Sequence, residues 1–303
     1  MTFRLSLGQS STQALLFMLA STLILASMHG LVRLLSGELH PFVIVFFRNA
    51  FGLLAILPLL ARHGLPSLRT NNKKLHLFRA LVGIIAMMFF FYGLSKVPLA
   101  NATALSFSTT LFATVSAAVF LRETVRIRRW LAIIVGLIGV LIVLRPNFTD
   151  FNNYSLLLVV AAIAWGTSVT IVKKLTQTES SFTIVALMST SLTILSVPFA
   201  WYFWETPSVS ELFALLAVGA MATAGHLLMT EALKRSDVGI VMSIDFTRLI
   251  WTSLIGIWFF SEPLEQHTVI GALIIFGAGW YIIFRESRIG VIEKPALKVD
   301  RNL

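Results

Sequence analysis

FYGLSKVPLANATALSFSTTLF, residues 91–112, is the stretch whose reading decides the fold. It is an apolar run, a Lys-Val-Pro turn, and a second run dotted with small hydroxyl side chains. Moving the chain along itself by 139 residues places Gly93-Leu94 on Ala232-Leu233, Ser106 on Asp245 and Phe107 on Phe246. Glu123 then falls on Glu262, each at the turn into the last apolar run of its half. Further out, His29-Gly30 resembles Trp165-Gly166 at a slightly different offset. Few letters are shared, so the repeat rests on turn alignment and on the number of runs in each half.

Those runs are long enough to cross hydrocarbon, which takes about 20 apolar residues. Ten can be read, at 14–35, 41–60, 76–95, 99–120, 130–144, 154–173, 182–204, 211–233, 238–260 and 267–284. The fifth is the shortest and could borrow length from Ile127 or Arg128. The expected fold is an all-α integral membrane protein of ten helices, arranged as two five-helix repeats at 11–145 and 152–286 with a basic tail at 287–303. An odd number of crossings forces the second repeat into the bilayer upside down. Inverted repeats of this kind recur in secondary transporters, with the binding site near mid-membrane between them.

Composition agrees. The chain of 303 residues is 57% hydrophobic and 13% charged, against about 25% charge in soluble domains. It has no cysteine, which excludes disulfides, thiolate chemistry and Cys-ligated metals. The formal charge of +10 does not point to nucleic acid, because the cations sit in short loops between apolar runs. Arg4, Arg62, Arg69, Lys73, Lys74, Arg79, Arg122, Arg126, Arg128, Arg129, Lys173, Lys174, Lys234, Arg235 and the tail lie on one side; the other has Arg33, Lys96 and Arg145 nearby. That asymmetry places both termini in the cytoplasm, in a bacterial inner membrane. The first run, with no small-residue cleavage site after it, reads as a span and not as a signal peptide.

Charges within spans are costly and face a cavity or a partner. Arg48 lies seven residues after Pro41, about 10 Å deep at 1.5 Å per residue. Asp245 and Arg248 share one helical face; they could neutralise each other or line a charged wall. His29 and His226 are inside spans, as proton relays or as hydrogen-bonding partners of a neighbouring helix. Glu231 suits an interfacial ion pair beside Lys234 and Arg235, and Glu123 and Glu262 suit helix starts. Asn101 and Ser106 stand in the fourth run, and the match of Ser106 to Asp245 makes the middle of runs four and nine the first choice for a solute path. Tyr92, Phe91, Trp165 and Trp251 could stack on an aromatic or cationic ligand or face lipid.

No Walker loop, H-E-x-x-H helix or nucleophile–base set occurs, so the chain reads as neither an ATP-driven pump nor an enzyme, with no cofactor and no metal.

LHPFVIVFFRNAFG (39–52), the 91–112 stretch, LRETVRIRRWLAIIVGLIGVLIVLRP (121–146), AWGTSVTIVKKL (164–175) and SEPLEQHTVIGALIIFGAGWYII (261–283) together resemble the EamA-type branch of the drug/metabolite transporter superfamily over about residues 14–286. Within that branch, residues 41–152 are similar to S-adenosylmethionine transporters, and the fifth and tenth helices equally to riboflavin transporters. The resemblance implies ten helices in two inverted repeats, cytoplasmic termini, and cavity positions at Arg48 and Trp165. Relatives often place proline where Thr110 and Ser243 stand, so neither subgroup's substrate carries over.

The expected function is alternating-access transport of a small metabolite, charged or zwitterionic, with Arg48, Tyr92, Asn101, Ser106, Trp165, His226, Asp245 and Arg248 as cavity candidates. The alternative is a non-transporting membrane protein that docks partners or anionic lipids through its basic loops.

Overall fold

Local chemistry sets where the helices stop. The computed structural model describes residues 9–63, 70–120, 127–145, 153–175, 178–179, 181–235 and 244–292. Glu123, Ser243 and the tail beyond residue 292 lie outside them. The described residues form helices α1 (Gln9–Leu35), α2 (Pro41–His63), α3 (Lys73–Lys96), α4 (Leu99–Ser106), α5 (Thr109–Phe120), α6 (Ile127–Leu144), α7 (Tyr154–Leu175), α8 (Ser181–Tyr202), α9 (Val209–Arg235), α10 (Thr247–Phe260) and α11 (Gln266–Ile292). Pro41 opens α2 at a position where a missing backbone N–H costs least, and Pro98 stands at the N-cap of α4. Ser261, at φ 53°, ends α10 in the left-handed region, and the Glu262 N–H closes that end on Gly256 O at 3.0 Å.

Six described segments are long and apolar enough to cross a membrane, and four shorter apolar helices accompany them. The chain is a multi-pass membrane protein. Its lipid-type surface is visible on α6, where Leu131, Ile134, Ile138 and Leu141 are each at least half exposed; a water-soluble protein does not display such a stripe. The short fifth run does gain length at its start, with α6 beginning at Ile127.

The fourth run spans Leu99–Phe120, the bounds expected for it, with a tightened turn inside it. The turn lies between α4 and α5 at Phe107-Ser108, although no proline stands there. Serine hydroxyls do what proline does in other helices. Ser106 Oγ donates to Thr103 O at 2.7 Å, and Ser108 Oγ to Leu105 O at 2.6 Å. The backbone tightens with them: the N–H groups of Phe107 and Ser108 reach the carbonyls three residues back. The second half carries the same device just before α10. There Thr247 Oγ1 donates to Ile244 O at 2.8 Å, and the Leu249 N–H bonds to Phe246 O at 3.0 Å.

Helix pairing crosses between the halves throughout. α1 packs on α9, and α3 packs on α7. These are the same contact when the first run is matched to the sixth and the third to the eighth. By the same matching, α5 against α7 corresponds to α10 against α1, while α2 with α8 and α6 with α11 correspond to themselves. The α6–α11 crossing is close because both helices present glycine. A Cβ on Gly139 would lie 2.8 Å from Gly271 O, and one on Gly271 would lie 2.7 Å from Gly139 O. Gly166 similarly lets α7 approach the α5 backbone, its missing Cβ falling 2.6 Å from Ala113 N.

α3 separates the two ends of the bundle. From His76 to Leu94 it rises about 27 Å at 1.5 Å per residue. One end is tied at Glu262 and the other at Glu179.

Candidate functional site

Three layers of inter-half contact run through the molecule, and the middle one contains the candidate site. At its centre α2, α9 and α10 bring charge into the bundle. Arg48 lies on α2, and its side chain turns inward. Nη1 donates to Asn49 Oδ1 at 2.9 Å, and Nη2 lies 3.4 Å from His226 Nε2 on α9. Asn49 is itself buried and passes its amide to Met87 Sδ at 3.3 Å. His226 keeps accessible surface although it faces α2 across the half-to-half seam.

Asp245 and Arg248 form an ion pair at 3.0 Å. Of the two readings left open for them, the structure shows the paired one. The guanidinium of Arg248 also lies over Phe107, 5.4 Å from the ring centroid, a cation–π arrangement worth about 1 kcal/mol or more away from water. Phe107 in turn stacks on Phe246 with centroids 5.6 Å apart and planes 30° from parallel. The two aromatic residues matched in the sequence repeat therefore touch, one at each tightened turn.

His29 and Trp165 flank this centre. Both lie against Phe90, whose ring centroid is 5.2 Å from each. His29 is also within electrostatic reach of Arg48, Arg248 and His226. Trp165, Arg48, His226, Asp245 and Arg248 thus fall in one neighbourhood formed by α1, α2, α3, α7, α9 and α10.

The remaining candidates are placed differently. Tyr92 belongs to an aromatic group at the Glu262 end, 5.9 Å from His40, Phe42 and Tyr154. His40 stacks flat on Phe203 at 3.9 Å, and its backbone N–H reaches Glu205 at 3.1 Å. Burial holds the His40 pKa below its ordinary value; Lys96 adds to that and Glu205 opposes it. Asn101 bonds Thr268 across α4 and α11 at 2.7 Å. Ser106 turns to its own helix at the tightened turn. Glu231 pairs with Arg235 one turn away.

Glu262 does more than begin a helix. Its Oε1 pairs with Arg33 Nη2 at 3.0 Å, and its Oε2 accepts the Leu99 N–H at 2.8 Å. Arg33 Nη1 continues to Leu94 O at 3.0 Å. One carboxylate therefore joins α1 and the α4 start to the turn before α11. At the other end Glu179 gathers Thr70 Oγ1, Asn72 Nδ2 at 3.1 Å and His76 Nε2 at 2.6 Å. Burial alone would raise its pKa, but the hydrogen bonds from Thr70, His76 and Asn72 outweigh burial and hold it below the usual carboxylate value.

Neither tie was visible in the sequence. The signal available for the first was Arg33, a cation on the cation-poor side, where a carboxylate partner was to be sought. Arg79, counted in the sequence among the cations around the second connection, proves to be inside the bundle. It is buried on α3, reaching Ile184 O at 3.4 Å and Met188 Sδ at 2.8 Å on α8.

A family model described as the EamA-like transporter family matches residues 12–145 and again 153–284. The chain is 32% identical to an S-adenosylmethionine uptake transporter of Rickettsia bellii, over 84% of this chain and 87% of that protein. It is 30% identical to a riboflavin transporter of Vibrio cholerae, over 89% and 93%. A pseudopaline exporter of Pseudomonas aeruginosa is 29% identical, over 82% and 88%. A solved structure at 19% identity superposes with a TM-score of 0.59, covering 92% of this chain and 97% of the other, which speaks for the fold alone.

Proposed function

Because the chain belongs to the EamA-like transporter family, we propose that it carries a small organic metabolite by alternating access through the seam at Arg48 and His226. It is a secondary transporter and not an enzyme. The proposal adds the architecture and the site. Ten spans form two inverted repeats at 11–145 and 152–286, both termini lie on the cytoplasmic side of the inner membrane, and the basic tail at 287–303 remains in the cytoplasm.

The observation that carries the site is the contact between Arg48 of the first half and His226 of the second. A solute there touches both bundles. It can then be released to either face when one bundle rocks against the other. The tightened helical turns meeting at Phe107 and Phe246 support this reading, since they bring one element of each half into contact beside Arg248. The relatives include both an uptake protein and an exporter, and an alternating-access seam serves either direction.

The test is exchange across vesicles. Purified protein in liposomes loaded with a labelled metabolite mixture is expected to move at least one component faster than empty liposomes. Arg48→Ala, with an unchanged elution profile and unfolding temperature, is expected to cut that rate about tenfold or more, the loss of one charged hydrogen-bonding partner. Full-rate transport by a folded Arg48→Ala protein would remove Arg48 from the site.

A further inference from the structure

We infer that the solute presents a single carboxylate-type anionic group to Arg48, and that Arg248 does not share in binding it. This rests on the transport reading above and specifies its substrate class.

Among the described residues, three ionised side chains stand in the central neighbourhood: Arg48, Arg248 and Asp245. Arg248 is neutralised by Asp245 at 3.0 Å and covered by Phe107. The same pair occupies Asp245, so in this conformation it holds no ammonium group. Arg48 is in a different position. Its partners are the neutral Asn49 amide and the His226 ring, and among the described residues no carboxylate lies within ion-pair distance of it. One positive charge is left over at membrane depth, where an uncompensated charge costs at least about 2.5–3.5 kcal/mol. An anionic ligand removes that cost, whereas a cationic ligand doubles it.

Hydrogen bonding points the same way. Buried polar atoms without a partner include Nε of Arg48, Nε of Arg248, Nε1 of Trp251 and Nδ1 of His29. Trp251 stands three residues from Arg248, on the same face of α10, and His29 is within electrostatic reach of both arginines. The first three of these atoms can only donate. A site short of acceptors and carrying one surplus positive charge is complementary to an oxygen-rich anion. Guanidinium binds a planar carboxylate through two parallel N–H groups.

Size and count follow from the surroundings. Trp165 and Phe107, both half-buried, leave apolar surface on the flanks, which suits a solute with a flat or apolar body. A second anionic group would find Arg248 already paired.

The experiment measures unfolding temperature in detergent against matched acid and amide pairs. The pairs are benzoate and benzamide, lactate and lactamide, and tryptophan and tryptophanamide. At least one acid is expected to stabilise the protein and its amide to do so at least tenfold more weakly. Arg48→Gln is expected to abolish the difference, and Arg48→Lys to retain part of it. The double variant Asp245→Asn/Arg248→Gln, which removes both charges of the pair together and leaves no carboxylate unpaired, should leave the acid preference in place. Amides acting as well as acids, no response to any acid, or an acid preference surviving in Arg48→Gln would each overturn the inference.

Transport is read separately. Labelled metabolites crossing vesicles without any acid preference would sink this inference and leave the transport reading standing. Acid binding without any crossing would do the reverse.

Discussion

Glu262 shows how much one side chain can hold. Its two oxygens take a guanidinium from α1 and a backbone N–H from α4, at 3.0 and 2.8 Å. The Leu99 N–H is one of the orphan donors of a helix start, so an acceptor is needed there whatever else happens. Arg33, by contrast, matters only as the ionic partner, with the two side chains 20% and 13% exposed. The two roles separate by substitution. Arg33→Gln should cost about 1–2 kcal/mol, a charged hydrogen bond discounted for its partial exposure. Glu262→Leu should cost more, because it also leaves the Leu99 N–H without an acceptor. Thermal unfolding of the two proteins in one detergent measures the difference. Equal losses would mean that the helix start contributes nothing.

At the scale of elements, the close crossing of α6 and α11 and the paired tightened turns of α4–α5 and α10 are the decisive features. The crossing rests on Gly139 and Gly271, each blocked from carrying a Cβ by the other's carbonyl. Gly139→Leu is expected to destabilise by about 1–3 kcal/mol through overpacking. The obstacle is backbone, so the helices must separate instead of a side chain turning aside. Gly277, with nothing within 4 Å of a Cβ on the same helix, is the control, and Gly277→Leu should be near neutral. Unfolding midpoints of the two variants decide this; equal midpoints would show the crossing to be loose.

At the scale of the whole molecule, ties at each level of the bundle join the first half of the chain to the second. Arg33 meets Glu262, Arg48 meets His226, Phe107 meets Phe246, and His76 meets Glu179. The pairing pattern is the one a two-fold repeat produces, since helix contacts recur when the halves are exchanged. If the repeats are oppositely inserted with five crossings each, both termini face the same compartment. The chain has no cysteine of its own, so single cysteines introduced at Thr2 and Asn302 can be labelled without background. Both are expected to react with an impermeant thiol reagent from the cytoplasmic side alone. Labelling from opposite sides would break the symmetry on which the mechanism depends.

The amino-acid sequence by itself determined that the chain lives in a membrane, roughly where its apolar runs begin and end, and that the second half repeats the first. These are properties of short windows: about 20 apolar residues cross a bilayer, and a turn residue acts on its own neighbours. It also singled out Arg48, Asp245 and Arg248, because a charge within an apolar run is conspicuous without any structure. Only the tertiary structure decided which charges are spent and which are left over. Asp245 and Arg248 could have been read either way, and Arg48 reaches His226 across 178 residues of chain. The same limit hid Glu262, whose partner Arg33 is 229 residues away. It also sent Tyr92 to an aromatic group near one end, away from the centre. The physical reason is that an ion pair or a stacked ring depends on two helices arriving side by side, and no local pattern records which pair will meet.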